Sequence, residues 1–237
     1  MEIIMDDMER YGDYNEIDEP PRKSRMLLCI KIVALTLCFS VVGFIAFRLI
    51  MFNYYPKEMK KLYFNDTLTA YYKETDGNIG AKTQKLKAPY DDAKSGNFFC
   101  DHLIIIPGAG QVQISVRYNQ NLLNKLKEEL SLTDKELSDK DLFSFVLYED
   151  RLENGESDRA LATPDVMEQD SFMMYRYYKL VFDGIDFPKE EKDRWFILQI
   201  YVKGQKSDKP YAKVWIYDST EEHYSIKDYK LSGGEKP

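Results

Sequence analysis

The sequence is poor in the residue types that most metal centres and many enzyme active sites use. Its 237 residues include 3 cysteines and 2 histidines. His102 and His223 lack the spacing to other histidines or cysteines that zinc ligands have. A nucleophile elbow, a phosphate-binding loop and a dinucleotide-binding fingerprint are also missing. We therefore expect no enzymatic activity, no metal and no cofactor.

The few cysteines restrict the covalent chemistry further. Cys29 and Cys38 fall inside an apolar stretch, so Cys100 is alone in the rest of the chain and has no disulfide partner there. Cys100 and His102 lie two positions apart in a β-rich run, which predicts that they share one face of a strand. Because no third residue is identifiable to orient the pair, we do not predict a catalytic dyad.

Basic residues are not in excess. The chain has 33 lysines and arginines against 40 acidic residues, a formal net charge of -7. Residues 1–21 hold eight acidic side chains and one basic one, so they account for the whole excess and the remainder is neutral. This balance excludes a basic nucleic-acid footprint. Residues 1–25, acidic and poor in aliphatic side chains, are predicted to form a disordered cytoplasmic tail.

One long apolar stretch, residues 26–52, stands out from this polar background. Sixteen uncharged residues lie between Lys31 and Arg48. A spanning helix needs about 20 predominantly apolar residues, and these two cations would lie about 25 Å apart along it, each within reach of a headgroup layer. Tyr54 and Tyr55 follow, as aromatic residues often do at interfaces. We predict a signal-anchor helix in the lipid bilayer, with Lys31, Arg48, Tyr54 and Tyr55 at the membrane interface.

Two alternatives to a retained anchor are a buried core helix and a cleaved signal peptide. Core helices are usually shorter and apolar on one face only. An acidic tail of about 25 residues is unusual in front of a signal peptide, which favours retention. Four basic residues flank the stretch on each side, so charge does not decide its orientation. The position near the N-terminus predicts a cytoplasmic N-terminus and a following domain outside the cell membrane.

The remainder of the chain is predicted to contain a juxtamembrane stalk at 53–66, a β domain at 67–231 and a disordered tail at 232–237. Within the domain, Phe98–Ile106 and Gln111–Tyr118 are separated by a Pro/Gly loop, which predicts a β-hairpin. The second run alternates apolar and polar residues, so its apolar side should face the core and its polar side the solvent. The polar side consists of Gln111, Gln113, Ser115 and Arg117.

Further elements follow from local patterns. Thr67–Lys73 is rich in β-forming residues, whereas Asn121–Leu130 has the leucine spacing of an amphipathic helix. Thr133 and Glu136 form a capping-box pattern. The remaining assignments are strands at Leu142–Glu149 and Phe172–Phe182, and mainly loop at Asn78–Gly96 and Arg151–Asp170.

A second hairpin is predicted from Trp195–Lys203 and Tyr211–Tyr217. Pairing Lys203 with Tyr211 places the apolar residues of both strands on one side. Two hairpins with separate inward faces indicate two sheets packed face to face. The predicted fold class is an all-β, sandwich-like domain of about seven to nine strands with one or two short helices, preceded by a single transmembrane α-helix.

The outer face of the second hairpin is the candidate binding surface. It carries Trp195, Tyr201, Lys213, Trp215 and Tyr217. Aromatic rings interleaved with polar side chains are typical of a platform for a flat sugar or a peptide, and the alternative is that another element covers them. We expect a binding module for an envelope protein or polysaccharide. The alternatives are a membrane-anchored enzyme using carboxylates such as Asp101 or Asp183, and a cytosol-facing regulatory protein.

Overall fold

The computed structural model describes residues 22–86, 95–138, 141–149, 159–188, 193–222 and 224–225. The chain divides into two compact units, with the boundary between Tyr54 and Tyr55. The predictions for residues 1–21, for His223 and for the tail at 232–237 lie outside the described residues.

The first unit contains one long helix, α1 (Arg22–Asn53). It begins at Arg22, so the last four residues of the predicted tail are helical. Its segment Arg25–Ile50 is long and apolar enough to span a membrane, and none of it is buried in the protein. The hydroxyls of Thr36 and Ser40 donate to the carbonyls of Ile32 and Thr36, at 2.9 and 2.8 Å. These polar groups are thus satisfied within the helix, as an apolar environment requires.

The second unit consists mostly of antiparallel β-sheet. Its helices are α2 (Lys57–Lys60), α3 (Asp66–Glu74), α4 (Asn121–Leu130) and α5 (Asp134–Leu137). Its strands are β1 (Lys82–Lys85), β2 (Phe98–Ile106), β3 (Gln111–Asn119), β4 (Phe143–Glu149), β5 (Arg159–Ala162), β6 (Val166–Phe172), β7 (Tyr175–Phe182), β8 (Arg194–Val202), β9 (Ala212–Asp218) and β10 (Tyr224–Ser225). Among the described residues they form a six-stranded sheet, β10-β1-β2-β3-β7-β6, and a four-stranded sheet, β5-β4-β8-β9.

Both sheets contribute to one hydrophobic core. At its centre the fully buried ring of Phe143 on β4 meets side chains of the six-stranded sheet. Ring centroids are 5.4 Å from Phe98, 5.1 Å from Tyr118 and 6.1 Å from Tyr178. All three contacts are edge-on, one of the favoured geometries of aromatic pairs. The prediction of a mostly β domain with two sheets is confirmed.

The two predicted hairpins are present. β2 pairs with β3 through a turn at Pro107–Ala109, and Gly110 closes this turn with φ 61°, a left-handed conformation that favours glycine. In the second hairpin Ile200 pairs with Ala212, so the register differs from the prediction by two residues. An even shift leaves every side chain on its predicted face. The inward-facing residues of β8 and β9 are accordingly buried.

The predictions for residues 151–182 and 78–96 need correction. The single long strand expected at Phe172–Phe182 is instead the end of β6 and all of β7, because the chain reverses at Met173, where φ is 50°. β5 and β6 occupy part of the predicted loop before it, and β1 occupies part of the loop at Asn78–Gly96. β1, β5 and β6 are mostly partly or fully exposed, so their sequences lack the apolar alternation that reveals half-buried strands.

The strand-like segment Thr67–Lys73 is also helical, as part of α3. The cause lies just before it: the side-chain oxygen of Asn65 accepts a hydrogen bond from the backbone N–H of Leu68 at 3.0 Å. This N-cap satisfies one of the free donors of the first turn. Leu68 is fully buried in a small second core beside β2. Capping and burial together outweigh the β-propensity of the segment.

Candidate functional site

The candidate binding surface lies on the outer side of β8 and β9, and cross-strand pairing brings three of its residues together. Trp195 pairs with Tyr217, and their ring centroids are 4.7 Å apart. The ring of Trp215 lies 6.3 Å from that of Trp195. The interplanar angles are 36° for the first pair and 78° for the second, so the rings form a stepped strip.

The aromatic strip is partly open. Tyr217 is 36% exposed, and Trp195, Tyr201, Lys213 and Trp215 are half-buried. Ile197 and Gln199, between them on the same side of β8, are buried. The bulky rings therefore shield the centre of the sheet while keeping part of their own surface in solvent.

The far end of the strip is formed by Tyr201. It lies six residues from Trp195 on β8, or about 20 Å along an extended strand. Its hydroxyl donates to the side-chain oxygen of Gln199 at 2.7 Å. Burial and the neighbouring Tyr148 raise the pKa of Tyr201. The structure thus brings Trp195, Trp215 and Tyr217 together and places Tyr201 apart, with Lys213 between the two groups.

A hydrogen-bond network fixes the exposed ring of Tyr217. Its hydroxyl donates to Asp193, and the backbone N–H and the hydroxyl of Thr220 donate to the same carboxylate, both at 2.9 Å. The hydrogen bond from Tyr217, with those from Thr220, lowers the pKa of Asp193. The ring of Tyr217 is therefore held in place by hydrogen bonds within the domain.

The outer face of the six-stranded sheet differs from its prediction. The polar residues of β3 that were expected to face solvent, Gln111, Gln113, Ser115 and Arg117, are all buried. Residues 55–65 run across them; we call this stretch the cover segment. Tyr55, Met59 and Leu62 within it are buried, so the stalk predicted at 53–66 is instead largely part of the domain.

The cover segment is bound mainly by side chains that contact its backbone. Gln113 accepts from the N–H of Tyr63 at 2.9 Å and donates to the carbonyl of the same residue at 2.7 Å. The hydroxyl of Ser115 donates to the carbonyl of Met59 at 2.5 Å. A glutamine and a serine thus satisfy backbone groups that a neighbouring strand would otherwise pair.

Lys179 on β7 holds the same segment. Its side chain is almost fully buried, and its ammonium group donates to the carbonyls of Lys61 at 2.7 Å and Met59 at 3.2 Å. Burial lowers the pKa of Lys179 to about 8, and the charge of Glu168 on β6 opposes this effect. Two carbonyl dipoles therefore compensate a buried charge.

At the end of the cover segment, Asn65 joins three elements. Its amide donates to Asp183 at 2.5 Å, and its oxygen accepts from Gln111 at 2.9 Å, besides capping α3. Gln111 also donates to Asp183, at 2.6 Å. Burial and a hydrogen bond to Asp183 raise the pKa of Asp165. Asp183, one of the carboxylates suggested for an enzymatic site, serves here as an acceptor for two amides.

Tyr55 belongs to the domain interior. It is 5% exposed, and its ring packs edge-on against that of Tyr177 with centroids 4.9 Å apart. The guanidinium of Arg117 lies 5.9 Å from the Tyr55 ring and 5.1 Å from that of Tyr175. The prediction of Tyr55 as a membrane-interface residue is therefore wrong. Of the other interface candidates, Lys31, Arg48 and Tyr54 are exposed.

A β-bulge separates Cys100 from His102. Cys100 pairs with Val116 and His102 pairs with Ser115, so Asp101 is the extra residue and the alternation of faces is reset. Cys100 therefore faces the core, where burial and the charge of Asp101 raise its pKa. His102 contacts Asp101 at 2.6 Å on the other side. The expectation that Cys100 and His102 share a face is wrong.

Within the described part of the chain, no group of three or more histidine, cysteine, aspartate or glutamate residues is placed to hold a metal ion. Comparisons of the chain with protein-family models, with curated proteins and with solved structures give no match.

Proposed function

We propose that this protein is a single-pass membrane protein whose β domain is a binding module and not an enzyme. One observation carries the proposal: a fixed, partly exposed aromatic strip with a lysine in it, on the outer face of the four-stranded sheet. Its members are Trp195, Tyr201, Lys213, Trp215 and Tyr217. The partner that fits is an envelope polysaccharide or an envelope protein lying along the strip.

The shape of the strip supports an elongated partner. It extends for about 20 Å along the strands, whereas sites for small molecules are concave and bury most of the ligand. Tryptophan and tyrosine offer large rigid contact areas at low entropic cost. Lys213, beside Trp215 on the same face of β9, supplies a charged donor for a hydroxyl or carboxylate of the partner.

We further propose that α1 is a signal-anchor helix in the cell membrane, with the N-terminus in the cytoplasm and the β domain outside. The exposed apolar surface of Arg25–Ile50 and its internally bonded hydroxyls support a lipid environment. Protease added to intact cells should remove the β domain and leave an N-terminal tag protected. Loss of the tag with the domain intact would reverse the topology.

Binding of a partner to the strip can be measured directly. The protein has 2 tryptophans, Trp195 and Trp215, and both belong to the strip. Intrinsic tryptophan fluorescence therefore reports on this surface. Titration of the full chain in a mild detergent with chitohexaose, cellohexaose and soluble peptidoglycan fragments should give a saturable spectral change for the glycan class that binds. For a protein partner, a photoreactive amino acid in place of Tyr217 should cross-link it in intact cells.

Substitutions distinguish binding at the aromatic strip from binding at other exposed apolar surfaces. We expect Trp215→Ala to weaken binding about tenfold or more, as loss of a central aromatic contact does. Met173→Ala is the matched control, because Met173 is 62% exposed but lies at the β6–β7 turn. Unchanged affinity in Trp215→Ala would show that the partner binds elsewhere. Absence of both a spectral change and a cross-link would reject the binding module.

A further inference from the structure

The β6–β7 turn carries the most exposed large apolar side chain among the described residues of the domain. Met173 is 62% exposed, and its neighbours Phe172 and Met174 are partly buried. The backbone of Met173 is left-handed, with φ 50°, a conformation that glycine, asparagine and aspartate adopt more readily than methionine. Those residues are also the usual ones in exposed turns. The fold itself therefore gains little from methionine at this position, which indicates a contact outside the chain.

The turn is held in shape by the residue that links β3 to α4. The side-chain amide of Gln120 donates to the carbonyl of Met173 at 3.0 Å, and the backbone N–H of Gln120 donates to the carbonyl of Met174 at 2.8 Å. The turn thus presents the Met173 side chain on a backbone that is already hydrogen-bonded to a neighbouring loop. Burying this side chain in a partner would order little additional chain, which keeps the entropic cost of binding low.

The cover segment shows at which end of the six-stranded sheet the chain enters the domain. Tyr55 packs against Tyr177, near the start of β7, whereas Asn65 binds Asp183 just after the end of β7. The cover segment therefore runs along β7 from its first residues to its last. Tyr177 is four residues from Met173, which is about 14 Å of chain at most. The point of entry and the β6–β7 turn thus lie at the same end of the sheet.

The chain between the apolar helix and this end of the domain is very short. α1 ends at Asn53, and Tyr55 is already buried in the domain. Two residues of chain reach about 7 Å at most. Tyr55 must therefore stay near the surface of any bilayer that α1 spans, and the Met173 turn lies at the same end of the sheet as Tyr55.

We propose that the β6–β7 turn docks on the lipid surface, with the Met173 side chain among the headgroups and upper acyl chains. The inference rests on the proposed membrane span, since α1 is what brings a bilayer to this end of the domain. Asp170 and Arg176 flank the turn with opposite charges, so apolar contact and not charge attraction would hold it there. Methionine is flexible and polarizable, which suits an irregular surface. The turn and α1 then attach the domain at two points and restrict its rotation over the membrane.

The test uses the full chain in a Cys29→Ser/Cys38→Ser background, reconstituted into vesicles of phosphatidylcholine and phosphatidylglycerol. A thiol-reactive fluorescent dye on Ser171→Cys, two residues before Met173, reports contact with lipid. Cys100 is buried, so labelling of the folded protein should leave it unmodified. Lipids that carry a nitroxide near the headgroup quench a dye that touches the lipid surface.

The matched control is the same dye on Asn78→Cys. Asn78 is exposed and lies just after α3, which packs against the β2–β3 turn at the other end of the sheet. We expect quenching to be several-fold stronger at position 171 than at position 78. Equal quenching at the two positions would overturn the docking of the turn.

Met173→Asn distinguishes an apolar contact from mere proximity to the membrane. Asparagine adopts the left-handed conformation readily, so the variant should keep the wild-type unfolding midpoint or exceed it. Quenching at position 171 should fall to the level at position 78, and unchanged quenching would overturn the proposal. Protection of the dye from iodide without quenching by lipid would indicate a second copy as the partner, which would also overturn it. If the protein failed to co-float with the vesicles, the membrane span itself would be rejected, and the docking with it.

Discussion

The buried lysine beneath the cover segment makes stability depend on pH in a way that can be calculated. Lys179 has a pKa of about 8 in the folded protein and an ordinary value of 10.5. Between these values the unfolded chain binds more protons than the folded chain. Stability therefore rises with pH in this window, as the energetic cost of the buried charge is relieved. Below about pH 8, Lys179 is charged in the folded protein and the full energetic cost of burying that charge is present.

The size of the effect follows from the difference between the two pKa values. Each unit corresponds to about 1.4 kcal/mol, and only part of the window is covered between pH 7 and pH 9. Between pH 7 and pH 9 the free energy of unfolding should therefore rise by about 1 kcal/mol, because part of the cost of the buried charge is removed. Replacing Lys179 with methionine keeps the chain length and removes the titrating group. The stability of wild type relative to Lys179→Met should thus increase by about 1 kcal/mol from pH 7 to pH 9.

Urea unfolding of the full chain in a mild detergent, followed by tryptophan fluorescence, measures this difference. The test compares how the free energy of unfolding changes with pH in the two proteins, so the absolute effect of the substitution at any one pH is not needed. Lys125→Met is the control, since Lys125 is exposed on α4. Parallel pH profiles of wild type and Lys179→Met would refute the assignment of a buried, charged lysine.

Two further outcomes test the same architecture. Asn65→Ala should lower the free energy of unfolding by about 3 kcal/mol, because it removes a helix cap and leaves Gln111 and Asp183 without a shared partner. The control, Asn78→Ala at an exposed turn, should change the free energy of unfolding little. Equal effects of the two substitutions would contradict the bridging role of Asn65. The second outcome concerns Cys100, measured at pH 8 in a Cys29→Ser/Cys38→Ser background. Cys100 should react with iodoacetamide about 100-fold more slowly in the folded protein than in the urea-unfolded protein. Similar rates would show that the thiol is accessible in the folded protein.

The sequence allowed prediction of the features that depend on local patterns with a clear period. The alternation of Val112, Ile114 and Val116 identified β3, and the leucine spacing in Asn121–Leu130 identified α4. The apolar residues of β8 and β9 were assigned to the correct face. Their register was two residues off because parity fixes the face but not the pairing.

Other features depend on contacts between distant residues, and the sequence did not reveal them. Gln111, Gln113 and Ser115 alternate with apolar residues as solvent-facing residues do, yet they contact a segment about 50 positions earlier, Gln113 and Ser115 through its backbone and Gln111 through the side chain of Asn65. The position of Lys179 within a strand gives no indication that its ammonium group donates to the carbonyls of Met59 and Lys61. The bulge at Asp101 has no sequence signal of its own, and it reversed the facing of His102 relative to Cys100. The partial exposure of Trp195 and Trp215 likewise depends on what packs around them.

The cover segment determines where the chain can be shortened without loss of the fold. A soluble fragment beginning near Asn65 would follow from treating residues 53–66 as a spacer. Such a fragment would expose Gln113, Ser115 and Lys179 and would remove the buried side chain of Tyr55. A fragment beginning at Tyr54 retains all of these contacts. For the same reason, a protease that releases the domain by cutting before Tyr55 would shed a folded protein, whereas one that cuts between Leu62 and Asn65 would shed an unstable one.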